Sequence, residues 1–367
     1  MIIDNHVHVF PSQAGPVGYD DPKAYQRFLQ AQIPRQWGRM VCSHMDRKYI
    51  PDPGEDVGFT VGKYGRHHWR KHGQDCWVQR GPVVLAEPEH TPEQMLAHMD
   101  FAGIDVGVIQ TGYVAPGWGR DVYFADCIKR WPDRFIGTVD IEYDLSQDDA
   151  YLQGEIRKLT RAVEELGFRG LFSHVPCDQP VDDPRCDPLW KEVIRLGIPA
   201  YINTGLKPRA IPRAEYLEDV RRIENVLKRF PEMNVIDAHI GHHLRPPKDP
   251  ERVDNPREFF PLLKLGNFFL EVGYVLAFEN WAVWGKEFEY PYPRHEQIIK
   301  TLYENFGAGV IVWGSDMPWT QRTCTYRQCL DLVRLHTSYM TEDERNLITG
   351  GTLARLFKVA EPKGAAA

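Results

Sequence analysis

Eight short apolar runs, separated by segments of helical periodicity, are the feature that most constrains the fold of this chain. Runs such as VIVWGSD and FIGTVDIE are rich in Val, Ile and Phe, which is typical of strands buried on both faces. Strict alternation of strands with helices predicts parallel βαβ units. The predicted strands span residues 2–9, 105–111, 135–142, 170–175, 199–204, 234–240, 267–273 and 310–315.

The number of strands favours a closed barrel over an open doubly wound sheet. An open sheet that binds a dinucleotide would carry GxGxxG after the first strand, and this chain has no such motif there. Helix start signals support the alternation, including a possible capping box at Thr91 and Gln94 and a second at Thr341 and Glu344. We therefore predict an α/β fold, a (β/α)8 TIM barrel that forms one domain over residues 1–367.

Two connections are longer than the usual βα loop of two to six residues. The first, residues 10–90, follows the first strand, and the second, residues 274–294, follows the seventh. Both are rich in aromatic residues, which would be an unusual use of apolar area on merely decorative loops. We interpret them as a lid or a subunit interface.

Composition and charge narrow the classes of function. A net charge of -7 and a pI near 6.1, without a basic run, argue against nucleic-acid binding. No stretch reaches the roughly 18 apolar residues of a membrane span, and residues 1–9 lack the features of a secretory signal, so we expect a cytoplasmic protein. The seven scattered cysteines contain no CxxC pair, so a thiolate zinc cage is not indicated.

Polar side chains recur where the predicted strands end. His6 and His8 in DNHVHVF are two residues apart, and the strand period directs both imidazoles to one face. The pair alone is a weak signal. Its position makes it informative, because a barrel interior accepts imidazoles chiefly where strands open into the active-site mouth.

Four further strand ends carry polar residues. His174 follows the fourth strand, Asn203 the fifth, His239 the sixth and Asp316 the eighth. A single histidine at a strand end is commonly structural, but several at one end of one barrel predict a site. Imidazoles with one carboxylate and an open position suit a catalytic divalent metal, zinc before manganese or iron. Nearby, Glu271 could pair with a lysine or histidine, and Trp319 could wall the pocket.

At these residues the chain resembles the amidohydrolase superfamily, in the amidohydrolase-related branch that includes aminocarboxymuconate semialdehyde decarboxylase. The resemblance spans nearly the whole chain, from NHVHVF through TPEQMLAHMDFAGIDVGVIQ and AHIGHH to WGSDMPW and GGTLARLF. It implies that His6, His8 and Asp316 bind the metal and that His239 acts near the substrate or its activated water. It also implies a homo-oligomer, either a dimer or a tetramer.

The chain departs from this family at one position. The fifth strand normally ends in a histidine ligand, and here that position holds Asn203 in AYINTG. An amide oxygen coordinates weakly in place of imidazole, so His174 is our candidate for completing the ligand set. Some members of this branch resemble lactonases that keep the histidines and bind no metal, so a metal-free enzyme also stays open.

The same residues serve more than one reaction. In the first, a metal-activated water cleaves an amide, ester, lactone or C–C bond, with Asp316, His239 and His174 as the catalytic residues. In the alternative, an aromatic or muconate-type acid loses carbon dioxide; hydration of an unsaturated acid is a third reaction, and an inactive barrel used for binding remains a further possibility. Guanidinium groups and aromatic walls suit a small carboxylated, aromatic or unsaturated substrate. The predicted substrate-binding residues are Asn203, Arg66, Arg70 and Trp319.

Overall fold

Eight parallel strands follow one another around a single sheet in the computed structural model of the chain. The structure describes residues 1–36, 41–115, 118–173, 179–202, 212–241, 256–273 and 290–360. Each strand pairs with the next in chain order, as the βαβ pattern predicts. The strands are β1 (Ile3–Val7), β5 (Val106–Ile109), β6 (Phe135–Val139), β7 (Gly170–Ser173), β8 (Ala200–Ile202), β9 (Val235–Asp237), β10 (Phe268–Gly273) and β11 (Ile311–Gly314).

The first and last strands meet just beyond the end of β11. Val7 forms a parallel bridge with Met317, and the backbone N–H of His8 donates to the Met317 carbonyl at 2.7 Å. The Asp316 N–H donates in turn to the His6 carbonyl at 2.9 Å. These bonds bring the sheet edges together, and the predicted (β/α)8 barrel is confirmed.

Six of the observed strands, β1, β5, β6, β9, β10 and β11, are shorter than their predicted runs, and the predicted ends of the other two lie outside the described residues. Val9 and Ile141 lie beyond the ends of β1 and β6, yet both are buried. An apolar pattern indicates burial rather than backbone pairing, which explains the difference.

The helices begin and end largely where the cap signals place them. Thr91 and Gln94 form a capping box at the start of α2, and Thr341 and Glu344 form one at the start of α10. Gly103 ends α2 in the left-handed conformation, with a φ of 74° that glycine adopts without strain. The helices are α1 (Ala24–Gln36), α2 (Pro92–Ala102), α3 (Trp118–Arg130), α4 (Asp149–Leu166), α5 (Asp187–Leu196), α6 (Arg213–Arg229), α7 (Phe260–Leu263), α8 (Pro293–Phe306), α9 (Tyr326–His336), α10 (Glu342–Asn346) and α11 (Thr352–Leu356).

A β-bulge interrupts β1 between Asp4 and Val7, a stretch that includes His6 of the predicted histidine pair. Asp4 pairs with Gly107 and Val7 with Ile109, so β1 advances three residues where β5 advances two. The simple two-residue alternation assumed from the sequence therefore does not hold through β1, and His8 lies beyond its end. The bulge allows adjacent Asn5 and His6 both to contact Glu271 on β10.

The barrel interior is closed at the N-terminal ends of the strands by the C-terminal helix α11. Leu353 and Leu356 of this helix, with Phe357 after it, pack against apolar side chains from the strands. Phe357 approaches Gly170, the first residue of β7. The strand side chains in this cluster are Ile3, Val106, Val108, Ile136, Phe172, Tyr201, Ile236, Phe269 and Val312.

The connection after β1 contains its own small sheet, which packs around a separate apolar cluster that includes Trp69 and Val78. Its antiparallel strands are β2 (Thr60–Val61), β3 (Arg66–Lys71) and β4 (Gln74–Gln79). Residues 274–289 of the second long connection lie outside the described residues. Over the ranges that the structure describes, no helix combines the length and apolar character needed to cross a bilayer.

Candidate active site and metal centre

Among the residues that the structure describes, five buried ionisable side chains gather where β1, β9, β10 and β11 end. We call them the histidine–carboxylate cluster: His6, His8, His239, Glu271 and Asp316. None exposes more than 8% of its surface. The Nε2 atoms of His6 and His8 lie 3.1 Å apart, and His8 Nε2 lies 2.9 Å from Asp316 Oδ1. Four of the five were predicted as metal ligands or catalytic residues from their strand-end positions.

The backbone fixes the tautomer of His8. Its Nδ1 lies 3.0 Å from the carbonyl oxygen of Gln110, which can only accept, so Nδ1 carries the proton. The Nε2 of the neutral ring then presents a lone pair toward Asp316. A carboxylate oxygen facing that lone pair at 2.9 Å requires either a second proton on the ring or a shared cation.

The spacing of the donor atoms fits a divalent metal. Ligand atoms around a tetrahedral zinc ion lie about 3.3 Å apart, given Zn–N bonds of 2.0–2.1 Å. Here the three separations are 3.1 Å between the imidazoles, 2.9 Å from His8 to Asp316 and 3.7 Å from His6 to Asp316. Two imidazoles and a carboxylate are also the right donor types. His6, His8 and Asp316 therefore could hold such an ion.

Asp316 and His239 are held in left-handed backbone conformations, with φ values of 57° and 59°. Non-glycine residues seldom adopt this region, and such outliers cluster at functional sites. The backbone N–H of Trp319 donates to the Asp316 carbonyl at 2.7 Å, which stabilises the turn. The turn places Asp316 Oδ2 3.6 Å from His239 Nε2.

The two carboxyl groups of the cluster have opposite pKa shifts. Burial raises the pKa of Glu271, against the charge of His239 and the hydrogen bond from Asn5. Burial acts in the same direction on Asp316, but the neighbouring imidazoles of His239 and His8 and the charge of His6 outweigh it and hold that pKa well below its usual range. Asp316 is therefore ionised, as a metal ligand or proton acceptor must be.

Aromatic side chains form one wall beside His8. The ring of Tyr113 meets the His8 imidazole edge to face at 5.0 Å, and Trp319 lies 5.1 Å from Tyr113. Phe10 stacks on Trp319 at 5.9 Å. Trp319 thus lies one ring away from the cluster, and its role as a pocket wall stays a prediction.

Two guanidinium groups border this wall. Arg80 and Arg322 lie 5.5 and 5.4 Å from the ring centre of Trp319, within cation–π range. The predicted pair lies elsewhere: Arg66 stacks on Trp77 at 4.2 Å, and Arg70 faces Asp75 at 4.0 Å, both on the inserted sheet. Their role in binding substrate stays a prediction.

The sequence predicted most of the ionisable residues of the cluster but few of the residues around them. His174 and Asn203 lie outside the described residues, so the structure gives no placement for either. Tyr113, Asn5 and the Arg80–Arg322 pair were missed. Tyr113 could have been predicted as a site residue, because it follows the end of the second predicted barrel strand.

The family of the chain follows from its sequence. The family model described as Amidohydrolase matches residues 3–359, almost the whole chain. The chain therefore belongs to the amidohydrolase family and is an amidohydrolase-type enzyme, as the strand-end motifs predict.

Solved structures with low sequence identity share the barrel. A probable 2-pyrone-4,6-dicarboxylic acid hydrolase from Acinetobacter baumannii is 16% identical, with 97% of this chain and 99% of that chain covered and a TM-score of 0.57. An amidohydrolase from Burkholderia multivorans with bound zinc is 17% identical over 76% and 91% of the chains, with a TM-score of 0.57. A 5-carboxyvanillate decarboxylase from Novosphingobium aromaticivorans with bound manganese is 15% identical over 72% and 80%, with a TM-score of 0.50.

Proposed function

We propose that the protein is a metal-dependent hydrolase of a small carboxylated, aromatic or unsaturated substrate. The observation that carries the proposal is the group formed by His6, His8 and Asp316, whose donor types and spacing suit a catalytic divalent ion. Zinc is our first candidate, because it favours nitrogen ligands with a carboxylate, and the Burkholderia multivorans relative was solved with zinc. Manganese and iron are the other candidates.

A divalent ion at this group would lower the pKa of a nearby water and polarise a substrate oxygen. The chain supplies the proton transfers. Asp316, held ionised, is placed to accept a proton, and His239 Nε2, 3.6 Å from Asp316 Oδ2, is placed to return one to the leaving group. His174 remains a predicted additional ligand or catalytic residue, in place of the histidine that Asn203 replaces.

The substrate class is inferred from the wall beside the cluster. Trp319 and Tyr113 offer flat surfaces for a planar ring, while the positive charges of Arg80 and Arg322 beside Trp319 would attract a carboxylate. Arg66, Arg70 and Asn203 remain predicted contributors. Two relatives are named for carboxylated ring compounds, a pyrone dicarboxylate and a carboxyvanillate.

Decarboxylation is the second candidate reaction. The same ligand group would hold the acid, and His239 would deliver a proton to the ring carbon as carbon dioxide leaves. The Novosphingobium aromaticivorans relative, described as a decarboxylase, supports this alternative. We further propose a cytoplasmic homo-oligomer without nucleic-acid or membrane partners, on the composition and on the aromatic-rich insertions.

The test is elemental analysis of the purified protein beside H6A/H8A. We expect about one equivalent of zinc, manganese or iron in the wild type and none in the variant, because two of three ligands are gone. H44A/H72A, in the inserted region, is the matched control and should keep the metal. Wild-type protein without metal after reconstitution would contradict the proposal.

The loaded protein is then screened on lactones and carboxylated aromatic acids. Labelled water oxygen in a newly formed carboxyl group identifies hydrolysis, the same oxygen on a former double-bond carbon identifies hydration, and release of carbon dioxide identifies decarboxylation. Turnover of these acids and lactones by none of the three routes, with metal bound, would leave the binding barrel as the remaining interpretation.

A further inference from the structure

Glu271 touches two histidines of the cluster without belonging to the group formed by His6, His8 and Asp316. It lies on β10 and is fully buried. Its Oε2 atom faces His6 Nδ1 at 3.4 Å, the ring nitrogen other than the one that faces His8. Its Oε1 atom lies 3.9 Å from His239 Nε2. The carboxyl group thus lies between the imidazoles of a predicted ligand and a predicted acid.

Both edges of this carboxyl group are held by donors. The Asn5 Nδ2 group donates to Oε2 at 2.5 Å, and the backbone N–H of His239 donates to Oε1 at 3.2 Å. Asn5 is itself oriented, because Tyr201 donates its hydroxyl to Asn5 Oδ1 at 2.5 Å. These bonds come from three different strands or strand ends, so the position of the carboxyl group is set by the closed barrel.

The backbone of β11 leaves room for Glu271 only because residue 314 is glycine. A Cβ atom built on Gly314 would lie 2.5 Å from Glu271 Oε2 and 2.6 Å from its Cδ, well inside contact distance. Any larger residue at position 314 must therefore displace the carboxyl group. This close approach offers a way to move Glu271 without changing its charge.

We propose that Glu271 is a positioning residue that turns the His6 ring so that Nε2 faces His8 and Asp316. The inference rests on the proposed metal-dependent function. Partners that hold the far nitrogen of a ligand histidine fix its ring orientation, and their removal typically weakens metal binding 10–100-fold. The carboxyl group also holds the His239 backbone, so one side chain aligns a ligand and the proposed acid.

A carboxylate suits this place better than an amide. Both of its oxygens accept, and here each edge meets at least one N–H donor. Glutamine could accept on one edge only and would turn its own NH2 group toward a donor on the other. E271Q preserves the shape of the side chain and therefore isolates its ability to accept on both edges.

The experiment measures cobalt binding to the metal-free full-length protein, by titration of the visible absorption of the ion. We expect E271Q to raise the Kd for cobalt 10–100-fold and to change the absorption spectrum, because His6 is misaligned. G314A should also raise the Kd for cobalt and change the absorption spectrum. E155Q is the matched control: Glu155 lies on α4, is buried and accepts the Glu142 backbone N–H at 2.9 Å, so its replacement should leave Kd and spectrum unchanged.

The outcomes separate this inference from the proposed function. Cobalt binding to the wild type with an unchanged Kd and spectrum in E271Q and G314A would preserve the metal site and overturn the role of Glu271. Binding of two cobalt ions per wild-type chain but one per E271Q chain would show that Glu271 is itself a metal ligand. That result would also overturn its proposed positioning role. A wild type that binds no cobalt would overturn the metal proposal itself. If E271Q does not fold, the Kd and the absorption spectrum of G314A test the role of Glu271 instead.

Discussion

The two ends of the barrel are built from the same strands but have opposite chemistry. At the N-terminal ends, Leu353 and Leu356 of α11 pack against a cluster of apolar and aromatic side chains from the strands. At the C-terminal ends, the interior opens into the histidine–carboxylate cluster, where buried charges replace aliphatic side chains. Apolar burial stabilises the fold, whereas gathered polar groups tend to cost stability and are retained for chemistry. Substitutions at the C-terminal ends of the strands should therefore reduce activity, and substitutions at the N-terminal ends should reduce the free energy of unfolding.

Asp4 shows that a buried carboxyl group on β1 can serve the fold instead. It accepts hydrogen bonds from the Ser315 N–H at 2.9 Å and from the Tyr326 hydroxyl at 2.6 Å. These bonds tie β1 to β11 and to α9. Burial raises its pKa to about 7, against those hydrogen bonds. Asp4 and Asp316 differ in their partners: Asp4 meets hydroxyls and backbone N–H groups, and Asp316 meets imidazoles.

The largest effect is expected from D316N at the mouth. The amide cannot accept a proton and is a weaker ligand, so kcat/KM should fall about 10²–10⁴-fold. The metal-free variant should remain folded, with an unfolding free energy within about 1–2 kcal/mol of the wild type. Kinetics and thermal unfolding measure the two effects. D105N is the control, because Asp105 accepts the Ile2 N–H at the opposite end of the barrel. A kcat/KM of D316N above a tenth of the wild-type value would contradict the role of Asp316 as ligand and proton acceptor.

The reverse pattern is expected from L353A in the apolar seal. Leu353 is fully buried, and removing its Cγ and two Cδ atoms should cost about 2–5 kcal/mol of unfolding free energy. Once folded, the variant should keep kcat/KM within about twofold, because the seal lies at the far end of the strands. Denaturant unfolding gives the first value. L347A, at a half-exposed leucine nearby, should lower the unfolding free energy far less. Equal losses of unfolding free energy in L353A and L347A would contradict the stabilising role of the apolar end of the barrel.

The sequence was sufficient for the barrel and for most of the cluster because both depend on local patterns. Continuous apolar runs mark buried strands, and a polar residue at the end of such a run points into the mouth. His6, His8, His239 and Asp316 all follow this rule. Glu271 follows it as well, although its contact with His6 could not be known before the strands were arranged.

The surroundings of the cluster depend on features without a local signature. The bulge in β1 brings Asn5 to Glu271, against the two-residue alternation. Arg80 reaches Trp319 because of the path of the whole inserted region, which composition does not specify. Composition equally suggested Arg66, on the exposed side of β3. Long-range packing, rather than residue type, therefore decides which arginine borders the aromatic wall.

The last effect concerns acid stability at the mouth end. His295 of α8 accepts the backbone N–H of Gly273, the last residue of β10, at 3.0 Å. Burial, and then the nearby His336, lower its pKa from 6.5 to about 3. Between those values the unfolded chain binds a proton that the folded chain does not, so this contribution to stability is complete above pH 6.5 and is lost as the pH falls toward 3.

H295Q should flatten that dependence. Glutamine can still accept the Gly273 N–H through its side-chain oxygen, but it does not titrate. Below pH 6.5 the unfolding free energy of the metal-free wild type should therefore fall more steeply than that of H295Q, by up to about 1.4 kcal/mol per pH unit. Urea unfolding at several pH values measures both slopes, and H72Q, at an exposed histidine of the inserted region, should keep the wild-type slope. Parallel slopes for wild type and H295Q would mean that the acid sensitivity of the mouth end arises from the cluster itself.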